Sequence, residues 1–127
     1  MKKTDIDTSE KKLSSSNFFF LSLEKRLIRI EWDDVVSFSI EHMSVIVSTK
    51  NDRFEFLGSL EVIMTLLPPG RFVRVDRKYI VSVIRITEVT SDFVFLGKTR
   101  YPLGNAYRIR LFRSFRPLIL NRHSRSK

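Results

Sequence analysis

The chain contains no cysteine. Disulfide bonds, thiolate catalysis and cysteine-ligated zinc are therefore excluded. Small secreted domains are commonly held by disulfides, so the same absence leans towards a cytoplasmic protein. Glycine is scarce, with four copies, and none builds the glycine-rich loop that cradles a phosphate. No apolar run approaches the roughly 18 residues of a membrane span. The run Phe18 to Leu21 is only a strand's length. Met1 to Asn17 lacks the apolar middle of a signal peptide, and 1–16 reads as a disordered lead-in. The two histidines, His42 and His123, are isolated in sequence. Asp33-Asp34 is a carboxylate pair, but neighbours on a strand point to opposite faces, so it reads as a turn. No Ser-His-Asp spacing stands out. The expectation is a protein that is not an enzyme, with no cofactor and no metal.

Acid is missing from the end of the chain. From Met1 to Asp92 there are 14 Lys+Arg and 14 Asp+Glu; from Phe93 to Lys127 there are nine Lys+Arg and no acid. The whole net charge of +9 thus sits in the last quarter. A one-sided basic segment is the footprint of a polyanion binder. Its plainer counterpart is a solvated tail kept for solubility.

What is present favours strands. The 127 residues give room for one domain. Eleven Phe, many beside Val and Ile, suit a pleated, half-buried surface. A hairpin is read from Phe18 to Leu23 and Arg26 to Glu31, about Glu24-Lys25. Trp32-Asp33-Asp34 breaks the run. Val35 to Ile40 follows, with Val36, Phe38 and Ile40 expected on one face. Ser44 to Thr49 and Arg53 to Leu57 are paired strands about a polar turn. Ser59 suits an N-cap, and Leu60, Ile63, Met64 and Leu67 have helical spacing. Pro68-Pro69-Gly70 stops that helix. Phe72 to Val75 is a strand, and Tyr79 to Val89 is expected as one long extended stretch. Phe93 to Leu96 and Thr99 to Leu103 turn about Gly97-Lys98. A last helix is expected near Gly104-Asn105, with Tyr107 and Leu111 along one side. The fold class is mostly β: about ten short, largely antiparallel strands in small packed sheets, with one or two short helices. The ordered domain is placed at 17–116, and a basic tail at 117–127.

Binding residues concentrate on connections held by a rigid scaffold. Three connections carry suitable chemistry. In Glu41-His42-Met43-Ser44, His42 can hydrogen-bond a base edge and Met43 can touch a thymine methyl; a plain turn is the equal alternative. In Asp76-Arg77-Lys78, Arg77 can bond guanine bidentately and Lys78 can meet a phosphate; Asp76 would repel DNA unless it pairs with Arg77 or Lys78. In Gly104-Asn105-Ala106-Tyr107-Arg108, Asn105 can bond adenine bidentately, and a helix starting there favours a phosphate at its N-terminus. Base-contact candidates are His42, Met43, Arg77 and Asn105. Phosphate-contact candidates are Ser44, Lys78, Arg108, Arg110 and Arg113.

Four segments in this order resemble one known family. Phe72 to Ser82, reading F-V-R-V-D-R-K-Y-I-V-S, resembles the signature F-x-R-x-H-x-S-[YF]-[IL]-V-N of the LytTR DNA-binding domain, the output domain of LytR/AgrA-like response regulators. Ile30 to Val36, Arg53 to Leu60 and Tyr101 to Tyr107 resemble its other conserved stretches. The resemblance covers roughly Phe18 to Phe112. It implies a nearly all-β fold whose loops, rather than a recognition helix, enter successive major grooves at repeated promoter sites. It places the contacts on the three connections above. Family members usually have His where Asp76 stands and Asn where Ser82 stands, and many have Arg at Asn105, so base preference is not carried over. Seventeen leading residues leave no room for a receiver domain, so a stand-alone regulator or separated output domain is expected, with no phosphorylation control implied.

The expected function is sequence-specific binding of double-stranded DNA in bacterial transcription regulation. The expected partners are promoter DNA and a second copy on it, with no membrane; a sensor or partner protein is not identified. Two alternatives stay open. One is RNA or single-strand binding, favoured if Phe18, Phe20, Phe93 or Phe95 lie exposed on one sheet face. The other is a protein-interaction module that kept the fold without DNA binding.

Overall fold

The computed structural model describes residues 17–115. The lead-in expected at 1–16 and the tail at 117–127 lie outside the described residues. Strands β1 (Phe18–Leu23) and β2 (Arg26–Glu31) form a hairpin. Strands β3 (Val35–Glu41), β4 (Ser44–Thr49), β5 (Arg53–Leu57), β6 (Phe72–Asp76) and β7 (Tyr79–Ser82) make a central antiparallel sheet, in the order β5-β4-β3-β7-β6. Strands β8 (Glu88–Val89), β9 (Phe93–Leu96) and β10 (Thr99–Pro102) make a third sheet. Helix α1 (Leu60–Leu66) joins β5 to β6, and α2 (Asn105–Phe115) follows β10. The mostly β expectation holds, as does the short helix capped by Ser59, whose hydroxyl accepts from the Val62 N–H at 3.2 Å.

The central sheet is covered on both faces. One apolar cluster joins Ile30, Trp32, Phe38, Leu60, Phe72 and Ile80, and draws in the β1–β2 hairpin and α1. The other joins Val75, Val81, Val94, Leu96, Leu103 and Leu111, and so anchors the third sheet and α2. Consecutive residues of β7 serve the two clusters: Ile80 and Val81 are both fully buried. That accounts for an apolar run without alternation. Burying each such aliphatic side chain stabilises the fold by about 1.5–3 kcal/mol.

Two local expectations are corrected. Val36, Phe38 and Ile40 do not share a face. The register shifts between Val35 and Ser37, and this bulge sends Val36 to the second cluster while Phe38 and Ile40 serve the first. Tyr79 to Val89 is not one extended stretch. It breaks in a helical turn at Val83–Arg85, closed by the Ile86 N–H donating to the Val83 carbonyl at 3.1 Å. The chain must leave the central sheet there to reach the third, which one continuous strand could not do. Pro102 costs no ladder hydrogen bond because β10 is an edge strand.

Candidate nucleic-acid interface

Strand register decides which turns meet. Strand β3 runs antiparallel to β7, with Ser39 opposite Tyr79. The β3–β4 turn, His42-Met43, and the β6–β7 turn, Arg77-Lys78, therefore project from the same end of adjacent strands. The Ile40 N–H donates to the Lys78 carbonyl at 3.2 Å. Between the two turns lies a cleft of about 520 Å³, lined by Ile40, Glu41, His42, Arg77, Lys78 and Tyr79. His42 has a left-handed φ of 58°, an uncommon conformation that His adopts more readily than most residues. Met43 is 75% exposed at the tip.

The third connection joins this end through backbone. The Gly104 N–H donates to the Val75 carbonyl at 2.8 Å. The Tyr107 and Arg108 N–H groups then donate to the Gly104 carbonyl at 3.0 and 3.1 Å, which starts α2. Asn105 is exposed on its first turn. Chain segments more than sixty positions apart, His42 to Asn105, thus share one end of the molecule.

Residues 25–116 match the family described as the LytTr DNA-binding domain. The chain belongs to the LytTR family of DNA-binding domains. It is 28% identical over 106 residues to the "Sensory transduction protein LytR" of Streptococcus mutans, covering 79% of this chain and 43% of that relative. The chain thus spans less than half the length of the curated relative it matches. Its fold is similar to that of the LytTr DNA-binding domain of a methyl-accepting/DNA response regulator from Bacillus cereus. That match has a TM-score of 0.66 at 19% identity, over 82% of this chain and 100% of that one.

In this LytTR domain Asp76 pairs with the backbone of Lys78. Its carboxylate accepts from the Lys78 N–H at 3.0 Å, which closes the turn. The Arg77 and Lys78 side chains stay exposed, with no hydrogen-bond or ion-pair partner among the described residues. Ser44 is half-buried at the start of β4. Arg110 and Arg113 are exposed on α2. Arg108 is differently placed: its Nε donates to the Ser91 carbonyl at 2.7 Å, and its guanidinium lies 3.8 Å from Asp92. It fastens α2 to the turn between β8 and β9.

One residue of this end was not singled out from sequence. Arg74 stands at the arginine of the F-x-R-x-H signature and among valines on β6, and either signal could have marked it. Its Nε donates to the Asp76 carbonyl at 2.9 Å and its Nη2 to the Arg77 carbonyl at 2.6 Å. Gly104 is equally constrained. A Cβ there would meet the Asp76 carboxylate at 3.1 Å and the Tyr107 ring at 3.3 Å. Gly104→Ala is expected to lower stability by about 1 kcal/mol through overpacking. Denaturant unfolding measures this, and an unchanged midpoint would mean that Asp76 yields freely.

Proposed function

We propose that this LytTR domain binds double-stranded DNA sequence-specifically as part of a bacterial transcription regulator. Its three grouped connections enter the major groove at a repeated promoter site, with a second copy on the neighbouring repeat. The observation that carries this reading is the convergence of His42, Arg77, Lys78 and Asn105 on one end of a doubly covered sheet. Arg77, Asn105 and His42 or Met43 read base edges. Lys78, Arg110 and Arg113 hold phosphates, and Ser44 lies close enough in sequence to the first turn to add one such contact. Arg108, tied to Ser91 and Asp92, contributes mainly by bracing α2.

Single-strand stacking is less well supported, because the four phenylalanines do not share a face. Phe18 and Phe20 belong to the hairpin, Phe93 and Phe95 to the third sheet. Of the four, only Phe20 is strongly exposed, at 46%. Arg29 lies 3.9 Å over the Phe18 ring and Arg100 4.2 Å over that of Phe93.

The test is selection from random duplexes, followed by titration at several salt concentrations. Recovery of a repeated site bound on the order of 10³-fold above background supports the reading. Binding with no enriched sequence would sink it. Arg110→Ala is expected to weaken all duplexes alike and to reduce the salt slope by about one. A loss confined to the selected site would instead place Arg110 on a base.

A further inference from the structure

We propose that Arg74 is the positioning residue of the DNA-reading end: it fixes the backbone of the Asp76-Arg77-Lys78 turn so that the Arg77 side chain is presented in one geometry. This rests on the reading of Arg77 given above.

Arg74 itself is poorly placed to meet DNA. Its side chain is only 13% exposed. Its guanidinium is used inward. Two of its nitrogens hold consecutive carbonyls, those of Asp76 and Arg77. Nη2 also lies 3.4 Å from the Glu61 carboxylate on α1, and the guanidinium carbon sits 5.7 Å from the centre of the Tyr107 ring on α2. The one side chain therefore ties the reading turn to both helices. A second cleft, about 360 Å³, is lined by His42, Glu61, Arg74, Arg77 and Tyr107, and marks where these elements meet.

The turn is held from two sides. Arg74 takes its carbonyls, and the Asp76 carboxylate takes the Lys78 N–H. Both devices act on backbone and leave the Arg77 and Lys78 side chains free. The β6–β7 register shifts between Arg74 and Asp76, so regular ladder bonds do not set the geometry there. A planar guanidinium can hold two adjacent carbonyls at once; an ammonium is a single point charge and does this poorly. Losing the fork should release the turn while keeping the local charge.

The experiment compares the wild type with Arg74→Lys, Arg77→Ala and the double variant on the selected site and on non-specific duplex, across salt. Arg74→Lys is expected to lower affinity for the selected site about tenfold, with non-specific affinity and salt slope unchanged, because charge is retained. In the Arg77→Ala background the same change is expected to cost less than about twofold, since the two residues act as one unit. An equal loss in both backgrounds overturns the proposal, as does an unchanged selected-site affinity. Backbone ¹⁵N order parameters give a readout independent of DNA. In Arg74→Lys those of Arg77 and Lys78 should fall from about 0.85 to below about 0.6, with the central sheet unchanged. Retained order overturns the positioning role even if the wild type proves to have no preferred site, an outcome that by itself removes the base-reading premise. Asp76→Ala, which releases the turn from its other side, is expected to loosen the same two residues and serves if Arg74→Lys does not fold.

Discussion

Trp32→Ala is expected to destabilise the domain by about 3–5 kcal/mol. Trp32 is 4% exposed, at the junction between the hairpin and the central sheet. Its ring stacks on Phe19 at 4.2 Å and meets Phe72 edge-on at 5.7 Å. Phe72 in turn meets Phe38 edge-on at 5.7 Å. The row runs from the hairpin into the sheet, so truncation opens a cavity that neither side can readily close. Such a loss is large beside a typical domain stability of about 5–15 kcal/mol. Urea unfolding measures it, and Phe20→Ala is the control. Phe20 lies on the exposed outer face of the same hairpin, and its loss should stay within about 0.5 kcal/mol. A Trp32→Ala loss below about 1 kcal/mol would mean that the hairpin does not depend on this junction.

The strands and turns were largely legible because their signals are local. Gly97-Lys98, the double proline after α1 and the alternation in β5 each speak within a few residues. The three connections were legible as polar interruptions, and the family resemblance set their order. The face of Val36 was not legible, because a bulge depends on how β3 registers against β4. Nor was the break after Ser82, since only the presence of a third sheet requires the chain to turn there. A pairing of Asp76 with Arg77 or Lys78 was legible as a possibility, but not that its carboxylate takes the Lys78 backbone N–H. Arg74 was legible only as the arginine of the family signature; that it holds the Asp76 and Arg77 carbonyls depends on the path of the turn.

The acid-free last quarter is also less uniform than its composition implies. Arg100 lies over the Phe93 ring, and Arg108 is held by Ser91 and Asp92. Among the five cations of this stretch on described residues, two thus serve the fold. Arg110 and Arg113 remain exposed and can act on a polyanion at little cost in packing. Net charge alone would overcount the phosphate contacts, so the salt slope should be smaller than nine cations would give.

Arg77→Ala is expected to weaken binding to the selected site by about 1–3 kcal/mol, roughly fivefold to 150-fold. The reason is geometric as much as electrostatic. Arg77 stands at the tip of a turn whose carbonyl is held by Arg74 and whose next N–H is held by Asp76. Its guanidinium is exposed and free to form two parallel bonds to the O6 and N7 of a guanine. Alanine removes those bonds, so preference should relax at one base position and persist elsewhere. Non-specific duplex should lose only the small share of a single charge. Arg77→Lys separates the two contributions. It keeps the charge but lacks the fork, so it should match the wild type on non-specific duplex and resemble alanine in discrimination. Titrating each variant against the selected site and its single-base variants reads both quantities. If the lysine variant keeps full discrimination, Arg77 acts on a phosphate, and base reading at this end must fall to Asn105 and the His42-Met43 turn.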